Sequence, residues 1–202
     1  EEWPEVRETS STLVSCFLSV DLAEADLETL YTRLNTLLAS RDWLSEDLPP
    51  GRKLWTIPCC FAGGAAPQME EAAAAAGLPL AEARESLITS RTRVITLGYA
   101  PGQPYLGPLQ EAWNIPRQSD LTPKVPAGAL VVAIRQLVLF TAAMPTGWRH
   151  IGSTAFRTFD PARDAPVALT PGDEVTFTAI AEAELEELRT DTYGGASWDL
   201  LP

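Results

Sequence analysis

From Arg93 to Ala179, short runs of β-favouring residues alternate with Pro- and Gly-rich turns, and no helical period fits. This punctuation constrains the fold more than any other feature. Proline removes a backbone donor and fixes φ, and glycine admits left-handed backbone, so each cluster ends an element and turns the chain. The runs at 93–99, 129–141, 154–159 and 174–179 are predicted strands. Strands this short, so regularly interrupted, close on one another as an all-β barrel or sandwich with long ordered loops.

The first half reads differently. Residues 12–20 are apolar and β-favouring, which predicts a strand. Leu27, Leu30, Leu34, Leu37 and Leu38 then recur at spacings of three and four, the stripe of an amphipathic helix. The polar segment 45–53 contains Pro-Pro-Gly and marks a domain boundary. Beyond it, Leu54 to Phe61 predicts a strand. An Ala-rich helix follows from Pro67, with Glu70 and Glu71 where the helix dipole favours acids. Gly77 ends it, and a second helix is expected over 79–89. Residues 181–189 predict an acidic helix, and the tail from Asp191 is expected to be loose apart from Trp198. The expected fold class is α+β: residues 1–50, whose strand and helix either pack on the rest of the chain or are part of a small N-terminal α/β domain with linker, then a β-barrel or sandwich domain (51–182), and a C-terminal helix and tail (183–202).

Charge and residue counts exclude several functions. The net charge of −12 repels nucleic-acid backbones and anionic membranes, so neither is an expected partner. No apolar run reaches the length of about 18 residues that a membrane helix needs. Three cysteines, two of them adjacent, are not a disulfide framework, and a cytoplasmic location is expected. The start, Glu-Glu-Trp-Pro, is not a signal peptide and lacks Met, which points to a fragment or a processed chain. A single histidine excludes a His-rich metal site, and no metal is expected.

Four segments could carry chemistry. Phe61-Ala-Gly-Gly64, between a strand and a helix, could turn backbone N–H groups towards an anion; it could equally be a tight turn, and no P-loop Lys follows. Gly98 to Gly107 is a stiff loop with Tyr99 and Tyr105, of a kind that lines pockets or caps a barrel end. Pro116 to Gly128 holds Arg117 and Lys124, cations suited to a carboxylate or to surface pairing. Gly147-Trp-Arg-His150 holds the one histidine, a proton carrier or a structural side chain. Cys59 and Cys60 point to opposite faces of a strand, so at most one lines any surface.

Together, Ile57 to Gly64, Leu97 to Gly107, Pro116-Arg117, Val125-Pro-Ala-Gly128, Gly147 to Gly152, Phe159-Asp-Pro161 and Pro171-Gly-Asp-Glu-Val-Thr-Phe177 resemble the B subunit of bacterial 5-oxoprolinase, a family also called allophanate hydrolase subunit 1. Their order and spacing fit that family throughout. The resemblance implies a small N-terminal α/β domain, part of it absent here, followed by a cyclophilin-like β-barrel. It also implies a subunit-C-like partner with related barrels and a site at their junction. In the family, that complex and a third subunit hydrolyse 5-oxoproline to glutamate at the expense of ATP; this chain alone binds no cofactor. Related domains occur in urea carboxylase, and a related protein inhibits a sporulation histidine kinase.

The substrate-pocket candidates are Phe61, Gly63, Gly64, Tyr105, Arg117, Lys124, Gln136 and His150. No catalytic residue is assigned. Several polar positions of the family pattern are replaced: Phe61 lacks a hydroxyl, Leu87 stands for a His, Thr122 and Ser153 for Arg, and Gln103 for an aromatic residue. Segment 65–68 lacks the family's acid, and segment 134–141 keeps only Gln136 of its polar positions. The expected function is therefore a subunit of an ATP-dependent amidohydrolase complex acting on a small cyclic amide or urea-type substrate, with altered specificity. A non-catalytic regulator of the kinase-inhibitor type is the alternative. A self-sufficient hydrolase is disfavoured by the absence of a readable acid–base pair.

Overall fold

The computed structural model describes residues 3–11, 15–43, 45, 47–48 and 50–202. The chain forms two compact units, residues 1–49 and 50–202.

In the first unit, β1 (Val6–Ser11) pairs antiparallel with β2 (Cys16–Val20), with a bulge between Val6 and Glu8. Residues 12–14 of the strand expected over 12–20 lie outside the described residues. β1 has no clear sequence signal because VRETSS is mostly polar. Helix α1 (Leu27–Ala39) begins where Asp26 accepts hydrogen bonds from Glu28 N and Thr29 Oγ1, satisfying donors that a helix start leaves open. Ser40 closes it, donating to Leu37 O. Only Leu30 of this helix is buried.

The second unit is built on an eight-stranded mixed sheet, order β10-β7-β8-β5-β4-β11-β3-β12. The strands are β3 (Lys53–Cys59), β4 (Thr92–Leu97), β5 (Pro104–Gly107), β7 (Ala129–Ala133), β8 (Gln136–Leu139), β10 (Arg149–Ser153), β11 (Glu174–Ala179) and β12 (Ser197–Leu200). Only β3 and β11 run parallel; the other neighbours are antiparallel. Two further strands, β6 (Thr122–Val125) and β9 (Met144–Thr146), form a separate ribbon. Helices α2 (Met69–Ala75) and α3 (Leu80–Ile88) follow β3 and lie against β10 and β11; α4 is Glu182–Leu188.

Alternation along β3 buries Trp55, Ile57 and Cys59 on one face. They enter a core with Leu87, Leu106, Trp113, Leu137, Phe156 and Val175. The buried Asp173 carboxylate fastens this face: it accepts from Lys53 N, Thr170 N and Trp55 Nε1, so the Pro-Gly-Asp turn holds β3 in place. A buried carboxylate is tolerable only with such a set of donors.

Four expectations need correction. The run 129–141 is two strands, not one. Ile134 and Arg135, with φ of 45° and 61°, make the two-residue reversal between β7 and β8. That backbone usually announces itself by Asn or Gly, which this turn lacks. Segment 154–159 is not a strand; only Phe159 bridges, to Val167. The tail is not loose. β12 pairs with β3, and Trp198 packs on Trp55 with ring centroids 4.7 Å apart. Lastly, the sheet does not close into a barrel by continuous pairing. Its nearest approach to closure is a single bridge, Cys60 with Ser153, joining the end of β3 to β10. Among the described residues no helix is long and apolar enough to cross a membrane.

Candidate functional site

The loop after β4 is a tight, closed structure. Gly98 N donates to Gln103 O and Gln103 N to Ala100 O. Tyr99 adopts φ of 70° and Gly102 φ of 66°. A Cβ on Gly102 would lie 3.1 Å from Thr158 O, so that position needs glycine for both conformation and space. This turn delivers Gln103 to the start of β5 with its side chain inward. The residue is 1% exposed, and its Oε1 is buried without a hydrogen-bond partner. A buried acceptor left unpaired costs about 1–3 kcal/mol, so such an atom calls for an explanation.

Gln103 forms part of the wall of a pocket of about 230 Å³. Tyr105, Val138, Phe140 and Trp148 supply its apolar and aromatic walls. Tyr105 meets Trp148 edge to face, with centroids 6.2 Å apart. Thr146 and Arg117 supply further polar groups, and Tyr99 and Leu121 also border the space. The Thr146 hydroxyl accepts from Trp148 N, which leaves its own proton to donate. Arg117 is exposed, and the described residues give its guanidinium no hydrogen bond or ion pair. Gly147 lies beside it: a Cβ there would sit 3.7 Å from Arg117 Nε, an ordinary contact.

A polar network beside the pocket fixes this geometry. Gln118 accepts from Gln68 Nε2 at 2.7 Å and donates to Trp148 O at 3.0 Å, while its backbone N donates to Gly147 O. Gln68 also accepts from His150 N and donates its own N–H to His150 O. Arg149 pairs with Glu71 at 2.8 Å and donates to Pro116 O. The loop carrying Arg117, the strand carrying Arg149 and His150, and the start of α2 are thus tied together.

Of the eight sequence candidates, Tyr105 and Arg117 line this pocket, and the other six lie elsewhere. Phe61 is core, edge-on to Phe177 at 6.2 Å. Gly63 and Gly64 start a 3₁₀ turn, and the anion beside them is the chain's own Glu182 carboxylate: a Cβ on Gly63 would be 3.1 Å from its Oε2. Lys124 is exposed on β6. Gln136 faces Ala133 across the β7–β8 turn.

His150 is buried, with Nε2 3.0 Å from Ser153 Oγ. Ser153 donates its proton to Ala65 O at 2.7 Å, so the imidazole donates to Ser153 through Nε2–H. Burial pushes its pKa below the ordinary value, opposed by a backbone hydrogen bond with Gly152. The ring is a structural link. Cys59 is also structural; burial raises its thiol pKa well above the ordinary value.

Sequence reasoning does not select Thr146, Trp148 or Gln118 for the site. Trp148 lies in the Gly-Trp-Arg-His motif, but nothing in the sequence shows its ring meeting Tyr105. The first unit has a larger groove of about 670 Å³ along α1. Its cations are already engaged: Arg33 pairs with Glu5 and covers Trp3, and Arg41 covers Trp43.

Residues 1–169 match the family model of the carboxyltransferase domain, subdomain C and D. The chain is 38% identical over 138 residues to the B subunit of 5-oxoprolinase from Escherichia coli O157:H7, covering 68% of this chain and 63% of that protein. It is 32% identical over 149 residues to the corresponding 5-oxoprolinase subunit of Bacillus subtilis (strain 168), covering 74% and 62%. The match thus spans less than two thirds of the length of each relative. Among solved structures, a conserved uncharacterised protein from Pyrococcus horikoshii superposes with a TM-score of 0.62 at 29% identity, over 90% of this chain and 82% of that one. Kluyveromyces lactis urea carboxylase gives a TM-score of 0.76 at 17% identity, over 98% of this chain and 20% of that one, a likeness of fold. The chain belongs to the carboxyltransferase-domain family, subdomain C and D, and is a relative of the 5-oxoprolinase B subunits.

Proposed function

We propose that this chain is a non-autonomous subunit of an ATP-dependent amidohydrolase complex of the 5-oxoprolinase and allophanate-hydrolase type. It acts with a subunit-C-like partner on a small cyclic amide or urea-type substrate. One observation carries the non-autonomous part of the reading. The pocket holds binding groups, Gln103, Arg117 and Thr146, but no histidine, cysteine or carboxylate among its described lining residues. Such a pocket can position a polar molecule, but it lacks the His and carboxylate groups that most often move a proton near neutral pH, leaving only the phenols of Tyr99 and Tyr105. The acid–base work, and ATP, then belong to the rest of the complex. The names of the relatives support the reaction class. On the same reading the second unit is an opened cyclophilin-like barrel, with the Cys60–Ser153 bridge marking where it would close.

Reconstitution tests this. The full chain is mixed with the C and third subunits of a 5-oxoprolinase complex, and ATP-dependent amide hydrolysis is measured over 5-oxoproline, other small lactams, urea and allophanate. Turnover that needs this chain and ATP supports the reading, with a substrate preference shifted from 5-oxoproline. Full activity of the other subunits without this chain would contradict it, as would hydrolysis by this chain alone.

A further inference from the structure

Glu174 is a single acid shared by three guanidinia, and the sheet register explains how. It opens β11, directly opposite Leu54 on β3 and Arg93 on β4. Side chains two apart along a strand share a face. Arg52, two residues before Leu54, and Arg91, two before Arg93, therefore stand on the face that holds Glu174. Arg52 reaches the carboxylate at 3.1 Å, Arg93 comes within 3.7 Å, and Arg91 donates to it through Nε. Arg52 and Glu174 are mostly buried, whereas the side chains of Arg91 and Arg93 are 50% and 47% exposed. One carboxylate cannot neutralise three guanidinia, so the exposed pair is left short of negative charge. Asp199, on the same face, pairs across Leu54 and so stands two strands away, roughly 9–10 Å from Glu174. Among the described residues no second acid pairs with Arg91 or Arg93. Arg91 uses only Nε, and Arg93 lies beyond hydrogen-bond distance, so most of the five N–H donors on each have no protein acceptor there.

We propose that Arg91 and Arg93 form a surface site for a phosphate group. A guanidinium is a planar fork of donors that grips phosphate with paired hydrogen bonds. Phosphate brings close to two negative charges and three strong acceptor oxygens, which answers two guanidinia at once. Glu174 holds the two side chains together before the ligand arrives, so less freedom is lost on binding. The chain's net charge of −12 repels anions at a distance, so the site is weak and selects for the doubly charged ion that gains most at contact. Arg93 stands near the start of β4 (Thr92–Leu97), and the Tyr99 loop that borders the pocket follows its end, roughly 15–20 Å along the strand. The phosphate site is thus a second site, and it does not depend on the function proposed above.

The test uses the full chain alone, with ionic strength held constant by sodium chloride. Inorganic phosphate and glycerol phosphate are titrated, and binding is followed by the arginine Nε–H resonances and by Tm. Phosphate is expected to saturate with a Kd of about a millimolar and to raise Tm by about 3–5 °C at ten times that concentration. Equal or weaker binding of the ester assigns the free ion; tighter binding assigns a phosphorylated metabolite. The double variant Arg91→Gln, Arg93→Gln should bind about tenfold more weakly. Glu174→Gln removes the competing carboxylate, so it should bind phosphate about threefold more tightly, and phosphate should restore part of the Tm it loses. A purely structural cluster would show neither effect. If Glu174→Gln does not fold, the double variant and the unaltered chain still decide the matter. No saturable change with phosphate, the same change with chloride, unchanged affinity in the double variant, or weaker binding by folded Glu174→Gln would each overturn the proposal.

Discussion

Gln68 Nε2 lies 2.7 Å from Gln118 Oε1, and through this contact the start of α2 holds the loop that carries Arg117. The same Gln118 amide donates to Trp148 O at 3.0 Å. One side chain therefore couples the charged residue of the pocket to its aromatic wall.

Gln118→Leu removes both bonds and leaves Gln68 short of a partner. It should destabilise the chain by about 1–3 kcal/mol, read as a lower urea midpoint at an unchanged slope. Unaltered stability would show that the network is incidental.

His150 makes stability depend on pH. Burial holds its folded pKa below the ordinary 6.5, so between those two values the unfolded chain binds a proton more readily than the folded one. Its contribution is full above about pH 6.5, falls as the pH drops below that, and levels off once the folded imidazole also protonates. Urea midpoints measured from pH 7.5 to 5 should decline, and His150→Gln should flatten that decline. The carboxylates of Asp26, Asp191 and Glu186 sit below their ordinary pKa, each stabilised first by a hydrogen bond, to Thr29, Gly195 N and Arg189 respectively. Their losses come at lower pH and leave the His150 window separate.

Glu174 gathers three arginines: Arg52 at 3.1 Å, Arg91, and Arg93 at 3.7 Å. The carboxylate is mostly buried, whereas Arg91 and Arg93 are about half exposed. Glu174→Gln leaves three like charges facing one another on β11 and its neighbours. Solvent screens the outer two, so the expected cost is about 1–3 kcal/mol, larger at low salt. A thermal melt in low and high salt checks both the size and the salt dependence.

Gly128 closes the Val-Pro-Ala-Gly turn with φ of 82°, and a Cβ there would sit 2.4 Å from Thr154 O. Gly128 O also accepts from Thr154 N, so the two backbones cannot part without losing that bond. Gly128→Ala should cost about 3 kcal/mol or more and yield little folded protein. Near-normal expression and melting would contradict the turn as described.

The features legible in the sequence are those written in local chemistry. The Leu stripe of α1, the Glu-led α2 and the strand at β3 all follow from period and composition. Two strands hide inside 129–141 because Ile134 and Arg135 take a turn conformation that neither residue type advertises. β12 hides because its partner Trp55 is far away in sequence. For the site, motifs locate the loops but not which side chains turn inward. Arg117 and Tyr105 stand out by type. Gln103 stands out only once its oxygen is seen to be buried without a partner. Phe61, chosen for its place in a motif, packs inward because alternation along β3 and its extension puts it beside Phe177.

The central claim is that this chain works as one component of a complex. The most direct measurement is light scattering after size-exclusion chromatography of the full chain mixed with a 5-oxoprolinase C subunit. A stoichiometric complex that elutes ahead of either component is the predicted result. Separate elution of the two at micromolar concentration, with both folded, would contradict the claim and favour a regulator that binds some other partner.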